Sequence, residues 1–195
     1  MKRITLTLII AFAVATGAFA QDHIDINYAI GFGMGDLGDY ISQPSFRGIS
    51  FDYRHAINPN MSVGFNLAWS TFYSEESRKT YTVDNQSLTG KQYRYSNNMP
   101  MLATFTYDLS PEEFVAPYAT LGIGTMYIRR NTDMNLYTWE QEAWPFVLQP
   151  EVGVRFRTSD KVRPTVSLKY TNGFKAGDFD ATQSYLALNL GLAFF

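Results

Sequence analysis

The sequence predicts an all-β protein: an eight-stranded antiparallel up-and-down transmembrane β-barrel, preceded by a cleaved signal peptide. Three observations carry this reading. Apolar residues recur with a period of two in eight separate segments, the signature of strands with one apolar face. The links between those segments alternate long, short, long, so all short turns fall at one end and all long loops at the other. The face opposite the apolar one is crowded with glycine and with charged residues, a combination that suits a narrow interior better than a solvated surface.

Residues 1–20 stand apart. Lys2 and Arg3 give a basic start, Ile4 to Ala15 is apolar, and Ala18-Phe19-Ala20 forms a small-residue exit before Gln21, the pattern of a secretory leader. Cleavage there leaves one domain, residues 21–195. It is acidic, because the 18 Asp and Glu already outnumber the 16 Lys and Arg before Lys2 and Arg3 are lost; no nucleic-acid partner is expected. There is no cysteine, hence no disulfide framework and no lipid attachment point. No apolar run after the leader is long enough for a membrane helix, so a membrane would have to be crossed by strands.

The first strand, His23 to Gly35, sets Ile24, Ile26, Tyr28, Ile30, Phe32 and Met34 against Asp25, Asn27, Ala29, Gly31 and Gly33. A polar link, Asp36 to Phe46, leads to the second, where Ile49, Phe51, Tyr53 and Ile57 oppose Gly48, Ser50, Asp52 and Arg54. Asn58-Pro59-Asn60 turns the chain. The third strand shows Val63, Phe65, Leu67 and Trp69 against Gly64 and Asn66; the fourth, after the long segment Ser74 to Gln92, shows Met99, Met101, Phe105 and Tyr107. Pro100 lacks a ladder donor, so a bulge or loosened pairing is expected there. The fifth strand runs from Val115 to about Arg129, a link follows from Asn131 to Glu142, and the sixth begins at Trp144. The seventh spans Val162 to Tyr170, and the eighth, Tyr185 to Phe195, reads YLALNLGLAFF.

If the apolar face meets lipid, the lumen receives Asp25 and a charge network of Asp52, Arg54, Asp108, Glu151, Arg155, Arg157, Arg163 and Lys169. Trp69, Tyr73, Tyr127, Trp144 and Tyr170 gather toward the long-loop end, with Tyr107, Phe156 and Phe194 toward the other, as interface belts require.

With its leader, its strand alternation, Met99-Pro100-Met101-Leu102 and the ending Gly191-x-x-Phe194, the chain resembles the small outer-membrane barrels of the OmpA, OmpX and OmpW type, the Bacteroidetes-type barrel and porin families in particular. The resemblance implies residence in the bacterial outer membrane as a monomer, with lipid and lipopolysaccharide around it. It also implies an assembly signal, read by the outer-membrane assembly machinery, formed by Gly191, Phe194 and Phe195, although Phe195 falls one step outside the lipid-facing phase.

Catalysis finds little support. The histidines of the mature chain, His23 and His55, sit near the short-turn rim, far from the outer leaflet, and two histidines without cysteine make a poor metal site. Gly31-x-Gly33-x-Gly35 lies in an alternating strand and is expected to open no helix, so it fails the context of a nucleotide loop. No catalytic, cofactor or metal site is assigned. The long loops are the functional candidates. Tyr81 and Val83, then Tyr93 and Tyr95, continue the outward phase past the expected membrane edge, so strands three and four are expected to protrude as a polar hairpin. Met134, Leu136, Tyr137 and Trp139 form an apolar contact surface for an unidentified extracellular partner, and Arg78, Lys79, Lys91, Arg94, Arg129 and Arg130 are expected near lipopolysaccharide phosphates. A non-enzymatic role in surface interaction or envelope integrity is the leading expectation. A narrow solute channel comes second and a lipid A-modifying enzyme third.

Overall fold

The computed structural model describes residues 22–83, 86–134, 137–177, 179 and 181–195, with backbone alone at 81–83 and 86–88; the expected leader, residues 1–20, lies outside them. The strands are β1 (His23–Met34), β2 (Ser45–Asn58), β3 (Met61–Val83), β4 (Gln86–Asp108), β5 (Val115–Met134), β6 (in two runs, Tyr137–Ala143 and Phe146–Phe156), β7 (Val162–Gly173) and β8 (Gln183–Phe194). Each pairs antiparallel with the next, and β8 returns to β1 from Ile24↔Phe194 to Met34↔Ser184. The ring is closed. Closure is what hydrocarbon demands, because an open edge there would leave backbone groups without partners at several kcal/mol each.

Two prolines mark the ladder without breaking it. β6 is interrupted at Trp144-Pro145, yet Ile128↔Ala143 and Thr125↔Phe146 lie in one unbroken register with β5, and the Pro145 carbonyl accepts the Met126 N–H at 3.1 Å. At Pro100 the pairing with β3 lapses between Leu67↔Met101 and Ser70↔Asn98 while the register stays the same. The effect there is loosened pairing and no bulge.

The outward face is the apolar one. Ile49 is 57% exposed and Val152 60%, in a band that includes Ile26, Phe65, Leu121, Leu168 and Leu190. A contiguous apolar belt of that extent belongs against lipid.

Two of the long links differ from their sequence reading, while the one between β3 and β4 is the protruding hairpin expected from it. The stretch from Asn131 to Glu142 is a hairpin, with Met134↔Tyr137 its last pair. The β3–β4 hairpin likewise pairs as far as Val83↔Gln86, with a bulge between Glu76 and Lys79. The first link carries a short helix, α1 (Gly35–Tyr40), so the glycine-rich end of β1 does open into a helix. Gly35 has φ +53, a conformation glycine adopts without strain, and this lets the chain fold back over the barrel mouth. Leu37 and Ile41 are fully buried beneath it. Leu37 lies within α1 and Ile41 is the residue that ends it, its N–H donating to the Leu37 carbonyl at 2.8 Å.

Glycine makes room inside the barrel. A Cβ on Gly153 would stand 2.5 Å from Cζ of Tyr118 and 2.7 Å from Cβ of Ser167. Gly153→Val is therefore expected to cost about 1–3 kcal/mol by overpacking, measured as a lower urea midpoint in lipid vesicles. An unchanged midpoint would mean that Tyr118 does not lie across this strand.

Candidate functional site in the lumen and at the outer rim

The alternation of each strand sends every second side chain inward, and the inward set forms two unlike layers. The layer nearer the short turns is ionic. Lys169 Nζ donates to Asp52 at 2.7 and 2.9 Å and to Ser50 Oγ at 2.9 Å, and stands 3.8 Å from Glu151. Asp52 also accepts from Asn66 at 2.8 Å, Ser50 at 3.1 Å and Asn27 at 3.2 Å. Glu151 accepts the Tyr118 hydroxyl at 3.0 Å and Arg54 Nη2 at 3.3 Å, and Arg54 Nη1 reaches Asp25 at 3.3 Å. Arg155 pairs with Asp108. The Tyr118 ring lies between two guanidinium groups, with Arg54 Cζ 4.7 Å and Arg155 Cζ 4.3 Å from its centroid, positions in which its π face attracts both cations.

Of the eight residues expected in this network, six meet: Asp52, Arg54, Asp108, Glu151, Arg155 and Lys169. Arg157 and Arg163 do not. They stand at the short-turn rim, where the Arg157 side chain is 39% exposed and Arg163 lies over the ring of Phe195 at 4.0 Å. The strands end there, so the inward phase opens onto solvent. Tyr118 was missed, although its phase, shared with Thr120 and Gly122 on β5, already pointed inward.

The layer nearer the long loops is apolar: Phe72, Leu102, Met126, Ile128, Val147 and Tyr185, all buried, with Leu37 and Ile41 seated on them from α1. Phe72 and Tyr185 meet edge to face at 5.4 Å. Above them a polar latch ties α1 down. Arg94 Nη1 donates to the Tyr40 carbonyl at 2.9 Å, and the Tyr40 hydroxyl meets Thr132 Oγ1 at 2.6 Å. Arg130 donates to Gln183 at 2.7 Å with its guanidinium over both Tyr40 and Phe179. Asp36 accepts the Thr182 N–H at 2.6 Å and its hydroxyl at 2.9 Å. The N–H bond, then the hydroxyl, holds the exposed Asp36 carboxyl below the ordinary carboxylate range.

The rim cations expected to face solvent divide. Arg94 and Arg130 turn into this latch. Lys79, Lys91 and Arg129 pair at the surface with Glu76, Glu75 and Glu140. Tyr137 and Trp139 are each 70% exposed on β6, and Trp139 shares a shallow cavity with Phe179. Met134 ends β5 beside them, half-buried, while Leu136 lies outside the described residues. At the opposite end His55 Nδ1 lies 2.6 Å from Asp22, Phe194 points outward, and Phe195 stacks on His23 at 4.5 Å.

The sheet rises unevenly around the mouth. β2 leaves β3 after Gly48↔Ser70, and β7 leaves β6 after Val147↔Gly173. β3, β4, β5 and β6 go on together, with β4 and β5 paired up to Tyr93↔Asp133. Above the belt they form a four-stranded fin whose two outer edges carry no neighbouring strand among the described residues.

The chain matches the outer membrane protein beta-barrel domain over residues 4–194. Solved structures of the same fold include neisserial surface protein A, 16% identical, over 90% of this chain and 98% of that one, with a TM-score of 0.57. Another is Ail, the attachment invasion locus protein of Yersinia pestis, in complex with the heparin analogue sucrose octasulfate: 16% identical, over 90% and 99%, TM-score 0.54. At these identities the likeness is one of fold. No curated protein sequence matches the chain.

Replacing Asp52 by Asn would strip Lys169 of its closest counter-charge and turn amide donors toward Asn27 and Asn66. The expected cost is about 3–5 kcal/mol, the scale for breaking a buried pair. Arg129→Gln, at an exposed pair, is expected to leave the unfolding midpoint nearly unchanged. Urea unfolding of both variants in vesicles checks the contrast; equal costs would contradict a desolvated network.

Proposed function

The chain belongs to the outer membrane protein beta-barrel domain family and lies in the outer membrane; from that footing we propose that it is a non-enzymatic protein presenting an interaction surface outside the cell. The observation that carries this reading is the fin. Long loops of such barrels face outward and short turns face the periplasm, so β3 to β6 would project beyond the lipid with both edges open. An open edge presents a row of unpaired N–H and C=O groups, a template for a strand from another chain. Tyr137 and Trp139 stand beside one of those edges, and aromatics of that kind dominate contact energies. Ail, of like fold, is named for attachment and invasion; at its low identity that name lends context and no more.

The rim cations extend the proposal. Exposed ion pairs such as Lys91–Glu75 and Arg129–Glu140 contribute little, so these cations can exchange carboxylates for lipopolysaccharide phosphates at small cost. Arg94 and Arg130 are excluded, being part of the latch. The solute-channel alternative is weakened by the apolar layer under α1, which leaves an ion nothing to replace its hydration shell.

The test uses cells displaying the protein at equal surface density. Tyr137→Ser with Trp139→Ser, and separately replacement of residues 77–91 by an Asn-Gly turn, should each reduce adhesion to a host-cell or matrix surface about tenfold or more, the scale of a lost hot spot. Undiminished adhesion in both would sink the proposal.

A further inference from the structure

Beneath the ionic layer the lumen opens at the short-turn end into a cavity of about 270 Å³. Three guanidinium groups line it, Arg155 and Arg157 from β6 and Arg163 from β7, together with Asp108 and Glu112. Asp108 is taken up by Arg155. Arg157 donates to the Glu112 carbonyl at 3.1 Å, and its carboxylate neighbour, the highly exposed Asp160, is 3.9 Å away. Arg163 makes one long bond to the Ser159 carbonyl, 3.4 Å, and rests on Phe195. Asp108, Glu112 and Asp160 match these guanidinium groups in number, but among the described residues Arg163 has no carboxylate within ion-pair distance and Arg157 has only Asp160. Two lining residues, both more than nine-tenths buried, keep polar atoms without hydrogen-bond partners among the described residues. These are Arg155, at Nε and Nη2, and Ser62, at Oγ.

We infer that this periplasmic vestibule binds a small, soluble, phosphate-bearing anion. Guanidinium forks match the oxygens of a phosphate in pairs, and an anion between Arg157 and Arg163 would give Arg163 the counter-charge it lacks. The cavity is smaller than most pockets for drug-sized ligands, which favours a phosphate on a short carrier. A phospholipid headgroup offers the same chemistry. The walls, however, are lumen-facing residues, Ser62, Asp108, Ala116 and Arg155, whereas lipid lies outside the strands.

The experiment is titration of the isotope-labelled protein, in phosphatidylcholine nanodiscs, with inorganic phosphate at constant ionic strength, following backbone amide shifts. Ser62, Ala116 and Phe195 should shift saturably while Ile49 and Leu168 stay in place. Arg157→Gln with Arg163→Gln, both rim residues outside the buried network, should raise the apparent Kd at least tenfold. Shifts no larger than those with chloride, or equal in the variant, overturn the proposal. A parallel sample in a phosphate-free detergent separates the sources. If the three amides differ between detergent and nanodisc, and phosphate then adds nothing, the occupant is the lipid headgroup and the soluble-ligand proposal fails.

Discussion

Eight strands enclose an interior just wide enough for side chains to fill, and the rest of this protein depends on how that space is filled. Water would be poorly accommodated and empty space would forfeit contacts on every wall. The lower half is filled with charge, which is costly to desolvate and contributes stability only where geometry is good. Here Lys169 has three oxygens within hydrogen-bond distance, and Tyr118 separates two guanidinium groups that would otherwise repel. Residues from β1, β2, β4, β5, β6 and β7 meet in this one layer. A one-residue slip of any strand would turn its member out toward lipid, so the network also fixes the register of strands far apart in the chain.

The upper half is filled with hydrocarbon, and that choice explains the cap. Phe72, Leu102, Met126, Ile128 and Val147 would be exposed at an open mouth. α1 covers them with Leu37 and Ile41, and the bonds of Asp36, Tyr40, Arg94 and Arg130 hold it there. With the mouth sealed from within, the strands on one side are free to run on as a sheet without exposing the core. Scaffold and display surface are thus separate parts of one fold: packing holds the barrel, and the fin is left to make contacts.

Most of the barrel was legible because membrane strands obey a strict rule. Period-two alternation assigned the lipid face of all eight, and link lengths assigned the two ends. What was misread lies where that rule stops applying. Above the belt both faces of a strand meet water, so the hairpin at 131–142 lost its alternation and looked like a loop. α1 sits in a polar link, where Leu37 and Ile41 were the one helical signal and only two residues long. Arg157 and Arg163 share the inward phase, but phase says nothing of height, and both are too near the strand ends to reach the buried layer. Tyr118 was hidden by its type, since a tyrosine on a barrel strand reads as belt. Its phase pointed inward, but its place across Gly153 and between two guanidinium groups depends on neighbours from other strands.

Above the short-turn vestibule the lumen is closed by packing, and the barrel is a scaffold. Single-channel recording of the purified protein in planar bilayers tests this closure most directly. No steady unitary steps are expected from the wild-type protein, with Leu37 and Ile41 seated on the apolar layer. Stable steps whose size changes on substitution of Glu151 or Arg155 would contradict it, because they would place a conducting path through the network described as closed.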